Sequence, residues 1–165
     1  MDLDSLHSAL ASFLEERGVP AMASWTQGRR QRLQEPVVLV SLKQMECSPA
    51  GLQDYLGEKL DEGSGQWKEL YGRRARLVFA LDIIAPPGTP AGECRGLFEK
   101  MVRVFQTQKP EGLSVQEMTA KELEYDEKEG LVKLSSELGC DGWLCAWGDE
   151  AGTFLDFTLR GDVNT

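Results

Sequence analysis

The chain has 165 residues, of which 41% are hydrophobic and 27% charged, a balance that suits one globular domain and excludes a disordered or membrane-embedded chain. Its 27 acidic and 18 basic residues leave a formal net charge of −9, a surface that does not attract a phosphate backbone. Four cysteines (Cys47, Cys94, Cys140 and Cys145) contain no C-x-x-C pair, and the single histidine, His7, falls inside a helical pattern, so no zinc site is expected.

The opening Met1-Asp2-Leu3-Asp4 has neither a positive start nor a long apolar run. No secretory leader is therefore expected, and the cysteines are expected to remain thiols. Two disulfides remain the alternative. The longest apolar stretch, Leu77 to Ala85, is broken by Asp82 and is too short to span a bilayer as a helix.

In chain order, Asp4 reads as a cap, and Leu3, Leu6, Leu10, Phe13 and Leu14 recur at three- and four-residue steps. This predicts a helix over 4–17, stopped by Gly18 and Pro20. His7 lies off the centre of the stripe, at a boundary or on the surface. Residues 19–35 are ambiguous, with alternation around Met22 to Gln27 that fits a short edge strand. The basic cluster Arg29, Arg30 and Arg32 is an exception to the acidic balance. It reads either as a solvated rim pairing with the acidic excess or as a minor nucleic-acid contact beside Trp25.

Val37 to Leu42 is β-branched and apolar, a strand covered on both faces, which Met45 and Cys47 extend. Ser48-Pro49-Ala50-Gly51 predicts a turn. The segment 48–70 then reads as an arm leaving the core between two strands, with a tip at Asp61-Glu62-Gly63-Ser64-Gly65. Its apolar residues Tyr55, Leu56, Leu60 and Trp67 are the candidate subunit-interface residues. The plainer alternative is an insertion whose aromatics fold back on their own sheet. Arg73 to Ile84 predicts a long strand ended by Pro86 and Pro87.

Thr89 as cap and Pro90 as first residue predict a second helix over 90–107. Its buried stripe is Cys94, Leu97, Phe98, Met101, Val104 and Phe105. The last third reads as β: a strand near 113–121, a turn over 125–130, a strand over Leu131 to Leu138, a bulge or bend at Gly139, and a strand over Trp143 to Trp147. A turn over 148–152 and a closing strand over Thr153 to Arg160 follow. Helices beside mainly antiparallel strands describe a two-layer α+β fold with helices on one face and a long arm between two strands.

No dinucleotide fingerprint, P-loop, H-E-x-x-H, G-x-S-x-G or EF-hand pattern occurs, and no motif places a nucleophile near His7. No catalytic residue, cofactor or metal is expected. Asp82 and Asp156, two carboxylates on strands, could in principle flank a substrate. The alternative for Asp82 is an arginine partner or solvent.

The segments Val37–Leu42, Ser48–Glu58, Leu70–Pro86 and Gly152–Gly161, taken together, resemble tail-terminator-type proteins of long-tailed phages, including prophages of anaerobic Gram-positive bacteria. The resemblance extends over nearly the whole chain and is poorest over 21–35. It implies a non-enzymatic virion protein, made in the host cytoplasm, that forms a ring, commonly a hexamer, at the head-proximal end of the tail. Such a ring caps the tail tube, stops its polymerisation and offers a surface to the head–tail connector protein. The implied partners are further copies of the chain, the tail tube protein and the connector. DNA passes without specific binding, and no membrane is involved. Two other readings stand open: another neck or tail-completion component, or a small cellular protein-binding or regulatory module such as an adaptor or toxin partner.

Overall fold

The computed structural model describes residues 5–24, 33–50, 54–148 and 158–162. Helix α1 (Leu6–Glu15) opens the described chain. Strands β1 (Ala21–Met22), β2 (Val37–Pro49), β3 (Tyr55–Asp61) and β4 (Gln66–Ala85) follow. Helix α2 (Ala91–Thr107), β5 (Ser114–Asp126), β6 (Leu131–Gly148) and β7 (Thr158–Arg160) complete the order. The fold is two-layer α+β, with both helices on one face of a mixed but mostly antiparallel sheet.

Two long strands carry the sheet. β4 and β6 pair antiparallel without a register shift from Glu69↔Gly148 to Ala85↔Val132. On the far edge of β4, β2 pairs its C-terminal half and β3 its N-terminal end. On the far edge of β6, β5 and β7 divide the length in the same way. β1 adds a short parallel pairing to β2, at Ala21↔Val38 and Met22↔Leu39.

Strand alternation decides which face the helices cover. Ala75, Leu77, Phe79, Leu81, Ile83 and Ala85 of β4 are buried with Leu134, Leu138 and Cys140 of β6. Leu6, Leu10 and Leu14 of α1 and Cys94, Met101, Val104 and Phe105 of α2 close over them. Phe13 and Phe105 stack across the helices at 5.8 Å, and the Arg17 guanidinium lies 3.6 Å from the Phe13 ring centre. Ser136, the one buried polar side chain among the described residues, donates to the Leu81 carbonyl at 2.5 Å. All four cysteines are free thiols, and burial pushes the Cys140 thiol up to about 12.

Several boundaries differ from the sequence expectation. α1 spans Leu6–Glu15, with Ser5 at its N-cap; Asp4 lies outside the described residues. Gly18 does take the left-handed conformation, at φ 75°. α2 has Pro90 at its N-cap, and the Thr89 hydroxyl turns back to the Pro86 carbonyl at 2.7 Å instead of capping the helix. β2 runs through Ser48 and Pro49, where a turn was expected, because both continue the pairing with Arg74 and Arg73. The Val37–Leu42 segment is not covered on both faces throughout: Leu39 and Leu42 are half-buried and Ser41 is exposed. β6 is one strand from Leu131 to Gly148, with no bend at Gly139. The irregularity lies on its partner, where β5 bulges between Val115 and Glu117 opposite that glycine. The expected strand 153–160 is described only over its last three residues.

Candidate functional site

The expected arm is a β-hairpin, β3–β4, and it is continuous with the sheet. β4 begins at Gln66, seven residues before the expected strand start, so the hairpin is built on the end of a central strand. Leu60↔Trp67, Glu58↔Glu69 and Asp61↔Gln66 stand directly opposite each other. A bulge between Tyr55 and Gly57 then brings Tyr55 opposite Tyr71. With the alternation of strands, this register puts Tyr55, Glu58, Leu60, Trp67, Glu69 and Tyr71 on one side. Leu56, Lys59, Lys68 and Leu70 lie on the other.

The first side is open. Trp67 is 64% exposed, Leu60 45% and Tyr55 43%, which are high values for large apolar side chains on ordered strands. The Tyr55 and Tyr71 rings meet edge to face with centroids 5.6 Å apart. Tyr71 lies against Gly148 of β6, where an added Cβ would come within 3.2 Å of its ring. The Tyr71 hydroxyl donates to Glu69 at 2.5 Å, and that bond is the main cause of its raised phenol pKa. The Tyr55 phenol is also raised, by desolvation and then by the charges of Glu58 and Glu69.

The reverse side fastens the hairpin to the sheet. Gly72 leaves room for Leu56: a Cβ there would stand 2.6 Å from Leu56 Cδ1 and 3.2 Å from Cys145 Sγ. Leu70 and Cys145 are buried at this base. At the same base, from the open side, Arg73 reaches Asp54 at 2.9 Å, and the Gly72 amide donates to the Asp54 carbonyl at 2.7 Å. The four candidate interface residues therefore separate. Tyr55, Leu60 and Trp67 share the open side, whereas Leu56 packs inward.

The tip is ordered by one carboxylate. Asp61 accepts from Lys68 at 2.5 Å, from the Ser64 hydroxyl at 2.7 Å and from the Gly63 amide at 3.2 Å. These bonds, that of Lys68 foremost, lower its pKa from 3.8 to about 2. A depressed carboxylate adds stability above its unfolded pKa and loses it as pH falls through the folded value. The tip should therefore stay closed at neutral pH and loosen between pH 3.8 and about 2. Amide exchange at Gly63 and Ser64, followed across that window, checks this; exchange that does not change there contradicts it.

The second surface is the sheet face away from the helices. Among the described residues four cation–carboxylate pairs cross it: Arg74–Asp141 at 2.7 Å, Arg76–Glu117 at 3.3 Å, Lys133–Asp82 at 3.1 Å, and Lys43–Glu137. Lys43 is the extra residue of a bulge in β2. Its hydrogen bond holds the Glu137 carboxyl below the usual range. Asp82 thus meets a lysine, in place of the expected arginine or solvent; Asp156 lies outside the described residues, as do Trp25, Arg29, Arg30 and Arg32. His7 is half-buried on α1. Among the described residues no group of three or more histidine, cysteine or acidic side chains is gathered as metal ligands, and no helix is long and apolar enough to cross a membrane.

The sequence reading named the aromatics of the hairpin but missed Glu58, Glu69 and Tyr71, which share their side. The signal was available in the tip. A turn centred on Gly63 and Ser64 makes paired positions sum to a constant, which sets Glu58 opposite Glu69. The bulge at Leu56 that brings Tyr55 to Tyr71 has no such signal. No family model matches the chain, and no curated protein matches it.

Proposed function

We propose that this chain is a non-enzymatic structural subunit that joins copies of itself into a ring through the β3–β4 hairpin. In this reading it acts as the tail terminators that its sequence resembles act: it caps a tail tube, stops its growth and offers a surface to the head connector. The observation that carries the reading is the open side of the hairpin, where Tyr55, Leu60 and Trp67 stand exposed on ordered, fastened strands. Aromatic side chains of this kind are the usual energetic centre of a protein contact. A contact between one patch and a different patch on the next copy repeats around an axis, and closes a ring when its rotation divides a full turn.

Two further features support it. Two of the segments that carry the resemblance, Ser48–Glu58 and Leu70–Pro86, include both ends of the hairpin. The net charge of −9 suits a ring through which DNA must slide without sticking. Polymerising tail tube protein with and without the chain tests the role. Electron microscopy should show tubes that end in a ring of added density and stop lengthening. Tubes of unchanged length with bare ends would contradict it.

A further inference from the structure

The open side of the hairpin has an arrangement of charge that its aromatics alone do not explain. Glu58 and Glu69 are direct cross-strand partners, and like charges placed opposite each other weaken strand pairing. The Tyr55–Tyr71 pair flanks them on one side and the Leu60–Trp67 pair on the other. Both lysines of the hairpin, Lys59 and Lys68, lie on the reverse side, where Lys68 is held by Asp61. Arg73, the nearest cation along β4 on the open side, is taken by Asp54. Among the described residues Glu58 has no ion pair, and Glu69 accepts only a phenol hydroxyl. The hairpin thus has two carboxylates side by side between Tyr55 and Tyr71 on one flank and Leu60 and Trp67 on the other, with both its lysines on the reverse side and Arg73 held by Asp54.

We infer that this side of the hairpin is a docking site for a cationic protein segment, with an arginine side chain seated between Glu58 and Glu69 as its central contact. The inference rests on the reading of the hairpin as the assembly element, and it specifies what the hairpin meets. A guanidinium there would relieve the repulsion between the carboxylates and could bond both in a planar, forked geometry. Its faces would stack on Tyr55 or Trp67, where the ring quadrupole attracts a cation. A neutral apolar partner would have to bury both carboxylates without a cation, Glu69 with only the Tyr71 hydroxyl beside it, at a desolvation cost that an arginine offsets. The chemistry therefore selects an arginine-bearing surface over a purely greasy one.

The probe is a capped tri-arginine peptide, titrated at low ionic strength into the full chain and followed by nitrogen–proton correlation spectra. The expected result is a saturable shift at the Trp67 indole N–H and the amides of Glu58 and Glu69. The double change Glu58→Gln and Glu69→Gln should weaken binding about tenfold or more, as the loss of two charge-assisted bonds implies. Glu122→Gln with Glu124→Gln, two exposed residues of β5, makes the same change in net charge and should leave binding within about twofold if only the local site matters. Equal weakening by both pairs, or shifts spread over the surface with none at Trp67, would overturn the inference. A chain that assembles through the hairpin yet gives no peptide shift would overturn the arginine contact while leaving assembly intact. A chain that binds the peptide but never assembles would refute the assembly reading and not the site.

Discussion

Replacing Met101 with alanine is expected to destabilise the fold by about 2–5 kcal/mol, and Leu10→Ala by a similar amount. Met101 is fully buried and Leu10 is 2% exposed, and both lie in the cluster that joins the helices to the sheet. Truncating either loses the transfer energy of its side chain and leaves a cavity that a packed interior fills only in part. Phe98→Ala should cost less than the roughly 3–5 kcal/mol of a fully buried phenylalanine, because Phe98 is only half-buried. A domain of this kind has about 5–15 kcal/mol in total, so the two larger changes should move the midpoint of urea or thermal unfolding by a wide margin. Midpoints unmoved by all three changes would refute the two-layer packing.

Replacing Tyr55 and Trp67 together with alanine is expected to abolish assembly and leave the monomer folded. Both side chains stand on the open side of the hairpin, and the contacts that fasten it are elsewhere, at Leu56, Gly72, Asp54 and Arg73. The change removes two aromatic anchors from the partner contact, where a few such residues carry most of the binding energy. It also removes the edge-to-face contact with Tyr71, a smaller loss confined to the hairpin. The check is paired: circular dichroism for the fold, and tube length or solution mass for assembly. A double variant that unfolds would assign these rings to the protein's own stability, and one that still caps tubes at normal length would remove the hairpin from the interface.

The layer arrangement was legible because its periodicities are strong. The stripes of α1 and α2 repeat at three and four residues, and Ala75 to Leu81 alternates cleanly, since one face of each meets the core. The first seven residues of β4 were not legible. From Gln66 to Gly72 no residue belongs to the core cluster that joins the helices to the sheet, so Lys68, Glu69 and Gly72 break the apolar alternation without breaking the strand. β5 was read short for the same reason: Lys121, Glu122 and Glu124 are exposed.

Glycine misled in a different way. Gly139 and Gly142 divide β6 into two apparent strands, yet their lack of a side chain serves close approach. A Cβ at Gly139 would come 2.9 Å from Glu117 Cγ, and one at Gly142 3.0 Å from the Gly112 carbonyl oxygen. The candidate site was half legible. Its aromatics stood out as apolar residues in a charged loop, whereas the facing carboxylates became visible only through the register of the hairpin.

Sedimentation of the purified chain across a wide concentration range tests self-assembly through the hairpin most directly. The account predicts a mass that rises from the 18.3 kDa monomer to one closed multiple of it, and a Tyr55→Ala, Trp67→Ala variant that stays at the monomer mass throughout. A wild-type chain that remains at 18.3 kDa at every concentration, or a double variant that assembles as the wild type does, would contradict it.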